Sequence, residues 1–103
     1  MKVSIVPADG AVSVDGVGFG GLDLSSVNPT IHAVQWYDTY GEVEFKDVFA
    51  NGEATKPQNQ FITSFAEYES VLVLWQAAKD AEAAALIVIA EAAQPVGTGV
   101  QTL

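Results

Sequence analysis

The feature that most constrains the fold is a helical pattern near the C-terminus, LWQAAKDAEAAALIVIAEAA, whose second half has no polar side. After Glu82 no polar residue occurs until Glu91. Four consecutive apolar residues lie between them and point in four directions around a helix axis: Leu86, Ile87, Val88 and Ile89. A helix end that is apolar all round has to be buried against something. About seventy residues make up the rest of the chain, too few to cover both halves of this helix. The pattern therefore predicts burial against sister copies or another protein, the alternative being a short, fully buried segment or even a strand.

The helix is predicted to begin at Ser64 and to run to residue 93. Ser64 followed three residues later by Glu67 matches a capping box. Pro95 and Gly97 mark the end. At 1.5 Å per residue the helix would project beyond a compact domain of this size, whose radius of gyration is about 13 Å. The unbroken run of helix formers favours continuity through Lys79 and Asp80 over a break there.

The first half of the chain is typical of antiparallel strands. Lys2–Val6 alternates and stops at a proline, and Ala11–Phe19 places Asp15-Gly16 between two valine-rich runs, a strong hairpin signal. Ile31–Trp36 and Glu42–Lys46 alternate around a turn-forming stretch and predict a second hairpin.

Together these elements predict an α+β fold, with N-terminal antiparallel β hairpins or a meander followed by a long C-terminal α-helix. A chain of 103 residues favours a single domain. We divide it into a β-rich region (1–50), a polar loop (51–63), the helix (64–93) and a tail (94–103).

Charge and apolar run length narrow the classes of function. Thirteen Asp and Glu against four Lys and no Arg give a net charge of −9, which argues against nucleic acid as a partner. The same charge fits plain solubility, a basic partner surface, or mimicry of nucleic acid. The longest uncharged apolar run, Ala83–Ala90, is far short of the ~18 residues of a membrane helix. The N-terminal stretch MKVSIVPADG has too few consecutive apolar residues to form the core of a signal peptide. A soluble protein without membrane contact is expected.

No motif for catalysis, cofactor binding or metal binding is present. Gly16, Gly18 and Gly21 match a dinucleotide-binding pattern, but no helix start follows them, so turns explain them better. The chain has no cysteine, which excludes thiolate metal sites and disulfides. We therefore expect a protein that is not an enzyme and that holds no cofactor or metal.

The single histidine, His32, falls in the second predicted hairpin. Alternation groups it with Val34 and Trp36 on one strand face. That position favours a structural or partly exposed residue over a catalytic base or a metal ligand.

Two segments resemble a known group of proteins: IHAVQWYDTYGEVEF and, after a polar loop, FAEYESVLVLWQAAKDAEAAA. They are similar to small proteins encoded among the tail genes of tailed bacteriophages, described as tail-fibre assembly or tail-associated proteins. The resemblance covers Ile31 to Ala85, about half the chain. It implies a non-enzymatic assembly chaperone or small virion component whose partner is a tail-fibre or other tail protein. The implied location is the host cytoplasm during assembly, and the virion tail if the protein is retained.

The residues predicted to contact a partner are apolar and aromatic: Tyr37, Tyr40, Trp75, Leu86, Ile87, Val88 and Ile89. They would cover apolar surface on a tail protein or on sister copies, so a homo-oligomer is expected. Two alternatives stay open. The acidic charge also fits an inhibitor of a host protein that binds nucleic acid, and a head decoration protein would differ only in the particle that retains it.

Overall fold

The structure is a computed structural model that describes residues 1–93, apart from the side chains of Ile89 and of residues 91–93. The predicted tail, 94–103, lies outside the described residues. The elements in chain order are β1 (Lys2–Val6), β2 (Ala11–Val14), β3 (Val17–Phe19), β4 (Ile31–Tyr37), β5 (Gly41–Phe45), β6 (Val48–Ala50), β7 (Glu53–Thr55), β8 (Gln60–Ile62) and α1 (Glu69–Ala93). Short 3₁₀ turns occur at Pro7–Asp9 and Ala66–Tyr68. The α+β fold is thereby confirmed.

Six strands form one antiparallel sheet in the order β3-β2-β1-β4-β5-β8, and β6 and β7 pair separately. The predicted hairpins are confirmed. Asp15 and Gly16, between β2 and β3, have φ angles of 48° and 86°, as a turn with two left-handed residues requires. The turn between β4 and β5 brings their strands into register, with Val34 opposite Val43.

The predicted polar loop at 51–63 is wrong in part, because it contains β7 and β8. Asn51 and Gly52 have φ angles of 53° and 79° and join β6 to β7 as a tight hairpin. Asn-Gly is the strongest short hairpin signal. Here its flanking strands are three residues long and exposed, so they lack the apolar alternation that reveals a half-buried strand.

One face of the sheet carries the core. Ile5 of β1 pairs with Val12 of β2 and Val34 of β4, and Val34 pairs with Val43 of β5, which makes a continuous row of buried side chains. Leu24, Val27, Phe65 and the first turns of α1 complete the cluster on that face. The opposite face carries mostly polar residues, among them Ser4, Ser13, Gln35 and Glu42.

The helix begins at Glu69, later than predicted. Ser64 Oγ accepts a hydrogen bond from Ala66 N at 3.2 Å, not from the Glu67 amide that a capping box would use. The 3₁₀ turn that follows, closed by Tyr68 N donating to Phe65 O at 2.9 Å, turns both aromatic rings into the core. The tight turn therefore replaces the first predicted helical turn.

From Glu69 the helix is continuous for 25 residues, which confirms that it does not break at Lys79 and Asp80. At 1.5 Å per residue its length is about 38 Å. The radius of gyration is 20.0 Å, well above the ~13 Å of a compact chain of this size. No helix in residues 1–93 combines the length and the hydropathy that crossing a membrane requires.

The grouping of His32 with Val34 and Trp36 is wrong. The pairing of β4 with β5 shifts register between Ile31 and Ala33, which leaves His32 as the extra residue of a β-bulge. Its side chain is exposed, whereas Val34 and Trp36 are buried. A bulge resets strand alternation, and single-sequence periodicity gives no sign of it.

Candidate protein-contact surfaces

The N-terminal part of α1 is fixed to the sheet by Trp75. The Trp75 indole Nε1 donates a hydrogen bond to the carbonyl oxygen of Val17 in β3 at 2.8 Å. Its ring meets Phe19 edge-on, with centroids 6.0 Å apart. The Lys79 ammonium lies 5.1 Å from its centroid on the solvent side. Trp75 is therefore a core residue of its own chain, and its prediction as a partner-contact residue is corrected.

Tyr68, the residue directly before α1, is also buried, and its ring centroid lies 5.9 Å from that of Phe65. Its burial, aided by the negative charge of Glu67, raises the pKa of the Tyr68 phenol to about 12. Because the folded-state pKa lies above the usual value of 10.0, the unfolded chain loses this proton first as pH rises.

We therefore expect the ionisation of Tyr68 to leave the free energy of unfolding unchanged below pH 10. As pH rises from 10 towards 12, we expect it to lower that free energy. Urea titrations at a series of alkaline pH values measure this slope. Tyr68→Phe, which keeps the ring and removes the proton, is expected to flatten it. An unchanged slope in Tyr68→Phe would show that another group causes the alkaline loss.

The C-terminal part of α1 leaves the sheet. Ala78 is the last residue with partial burial, and every later described side chain is exposed. We call residues 79–93 the projecting segment. Leu86, Ile87 and Val88 are 59%, 59% and 63% exposed, so residues 1–93 do not cover their own most apolar stretch. The side chain of Ile89, the fourth predicted contact residue, lies outside the described residues.

The projecting segment also contains the longest run of exclusively apolar residues in the helix. Residues 83–90 carry no ionisable group. Exposed apolar side chains that are contiguous along one element are typical of contact sites.

A second exposed apolar surface lies on the sheet. Tyr37 and Tyr40 pack with centroids 5.3 Å apart, and Tyr40 stacks on Phe61 of β8 at 6.0 Å. We call these three rings the aromatic cluster. Phe61 is the most exposed of them, at 64%. The structure thus brings together the two predicted tyrosines and adds a ring that sequence reasoning placed in a polar loop.

The turn that holds the two tyrosines is defined by backbone contacts. Tyr37 N donates to Tyr40 O at 2.7 Å, and Asp38 adopts a φ of 79°. The Asp38 carboxylate accepts a hydrogen bond from the Met1 amino group at 2.8 Å. Lys2 lies 6.0 Å from the centre of the Tyr37 ring. The aromatic cluster is therefore held by the turn and by contacts from Met1 and Lys2.

Chemical groups elsewhere in residues 1–93 do not converge. No set of three or more His, Asp or Glu side chains in this part of the chain is placed to hold a metal ion. The only ion pair among the described side chains joins the Met1 amino group to Asp38. The two apolar surfaces are the clearest candidate sites that the described residues present.

Comparison of the sequence with protein-family models and with curated proteins, and of the fold with solved structures, gives no match.

Proposed function

We propose that this chain is a non-enzymatic protein that acts by protein–protein contact and self-associates through its projecting segment. The observation that carries the proposal is the exposure of Leu86, Ile87 and Val88 on a helix that extends beyond its sheet. Covering these side chains removes apolar surface from water at about 25 cal/mol per Å². In the single chain these side chains are exposed, so this free energy is gained only on association.

Sister copies fit this segment for two physical reasons. Consecutive helical residues point about 100° apart, so Leu86, Ile87 and Val88 need neighbours on more than one side. A symmetric assembly supplies such neighbours with a single kind of contact. In addition, each copy carries a net charge of −9, and residues 83–90 let copies meet without placing carboxylates against each other.

Sedimentation velocity over a range of protein concentrations tests self-association. The proposal expects a mass above 10.8 kDa that rises with concentration. A single species at the monomer mass throughout that range would refute it.

We further propose that the assembled protein serves in the tail of a bacteriophage, as an assembly chaperone for fibres or as a small virion component. This part is supported by the resemblance of Ile31 to Ala85. Physically, the projecting segment and the aromatic cluster would cover apolar surface on a tail protein.

Mass spectrometry of purified particles, run beside the lysate of infected cells, tests the tail role. Detection in tails supports a virion component, and detection in the lysate bound to fibre protein supports a chaperone. Detection only in heads would replace the tail role with head decoration. Absence from particles and from fibre complexes would refute a tail role.

One observation favours a second candidate, an acidic inhibitor of a basic host protein. Apart from Asp38, the described carboxylates form no ion pair within the chain, so their charge is available to a partner. Capture of a basic, nucleic-acid-binding host protein in a complex that dissociates when the salt concentration is raised would favour this candidate.

A further inference from the structure

The two edges of the six-stranded sheet differ. At one edge, β3 is engaged by the helix, because Val17 O accepts the Trp75 indole hydrogen bond. At the other edge, β8 pairs with β5 on one side, and no strand in residues 1–93 pairs with it on the other. Within residues 1–93, the helix therefore contacts the strand at one edge, and the strand at the other edge is available for strand addition.

The register of the sheet defines what an added strand would meet. Gln35, Glu42 and Phe61 form one cross-strand row on the face opposite the core. A residue of an added strand in the same row would lie directly opposite Phe61, about 5 Å away between Cβ atoms. Glu42 lies on β5, so its carboxylate would be one strand further from the added residue, on the other side of the Phe61 ring.

The chemistry of this row selects a cationic side chain. Aromatic faces attract cations, and in proteins the cation is more often the guanidinium of arginine than the ammonium of lysine. The guanidinium also pairs with carboxylates. Glu42 is exposed beside Phe61. Lys2, 6.0 Å from the Tyr37 ring centre, already places a cation beside one ring of the aromatic cluster. An arginine opposite Phe61 can lay its guanidinium on the ring and reach towards Glu42.

We propose that the free edge of β8 binds an extended, basic segment of a partner protein as a seventh strand, with an arginine stacked on Phe61 and directed to Glu42. The segment adds by backbone hydrogen bonds, and the aromatic cluster and Glu42 select its charge. This surface lies at the edge of the sheet away from α1, so the inference does not depend on self-association through the projecting segment.

The probe is an eight-residue peptide amide that alternates arginine and threonine, titrated into the full ¹⁵N-labelled chain and followed by NMR. We expect saturable shift changes at Tyr37, Tyr40, Phe61 and Glu42, and slower amide exchange in β8. A peptide with citrulline in place of arginine keeps the shape and loses the charge. We expect it to bind at least about threefold more weakly.

Phe61→Ala and Glu42→Gln are each expected to raise the dissociation constant of the arginine peptide by about threefold or more. Phe49→Ala is the matched control, since Phe49 is an exposed phenylalanine on β6 (78%) outside the cluster. It is expected to leave the constant unchanged. Unchanged amide shifts for core residues such as Val34 show that each variant is folded.

Any of the following results would overturn the proposal. The first is the absence of saturable binding by wild type. The second is an equal loss in Phe61→Ala and Phe49→Ala, or equal binding of the citrulline peptide. The third is binding without slower exchange in β8, which would indicate diffuse attraction to an acidic surface and not strand addition.

Discussion

Replacing Ile87 with aspartate is expected to convert the associated protein to a monomer while its helix content stays the same. Ile87 is 59% exposed in the single chain, so the carboxylate is solvated and costs little there. In an assembly the same position is covered, and burying an unpaired charge costs several kcal/mol. Association should therefore weaken by roughly 100-fold or more, as each 1.4 kcal/mol is tenfold.

Sedimentation velocity and circular dichroism together measure this result. Val73→Asp is the matched control: Val73 is 69% exposed on the same helix, in the part that lies against the sheet. It receives the same change and should remain associated. Equal behaviour of the two variants, whether both associate or both dissociate, would place the contact elsewhere.

Trp75→Ala is expected to cause the largest loss of stability of any substitution considered. The change deletes a buried ring, its edge-on contact with Phe19 and its hydrogen bond to Val17 O. Large aromatic-to-alanine changes in a core cost about 3–5 kcal/mol. Small domains have only ~5–15 kcal/mol in total. Because Trp75 is the last buried residue of α1 among its described side chains and bonds to Val17, its loss also frees the helix from β3.

Urea unfolding measures the difference in free energy. Trp75→Phe separates the two contributions, since it keeps an aromatic ring and removes the indole donor. We expect it to cost about 1–2 kcal/mol, a value between wild type and Trp75→Ala. Phe49→Ala, at an exposed position, should change the free energy by less than about 0.5 kcal/mol. A Trp75→Ala protein as stable as the Phe49→Ala protein would contradict this account of how α1 is held.

The hairpins were predictable because their turns carry their own chemistry. Asp15-Gly16 accepts positive φ at both positions, and the valines around it alternate, so local sequence and tertiary structure agree. The strands on either side of the Tyr37–Gly41 turn are predictable in the same way. Where a strand is short and exposed, as in β7 and β8, the alternation that marks burial is missing. Phe61 was therefore missed as a member of the aromatic cluster.

The helix shows what a helical pattern can and cannot reveal. Its continuity and its uncovered apolar end follow from the residue types between Lys79 and Ala90. Its start differs from the prediction because Phe65 and Tyr68 pack into the core through a 3₁₀ turn, and this packing outweighs the capping signal of Ser64. The pattern predicts Trp75 as a partner contact because apolar residues along one helix face do not show whether the chain's own sheet or another chain covers them.

The proposed function requires another chain to cover the projecting segment, and amide hydrogen exchange of residues 83–90 measures this directly. At high protein concentration we expect slow exchange there, and on dilution below the association range we expect exchange to become fast, while the core strands stay protected. Fast exchange of residues 83–90 at every concentration, or protection that persists in a chain of monomer mass, would contradict the proposed function.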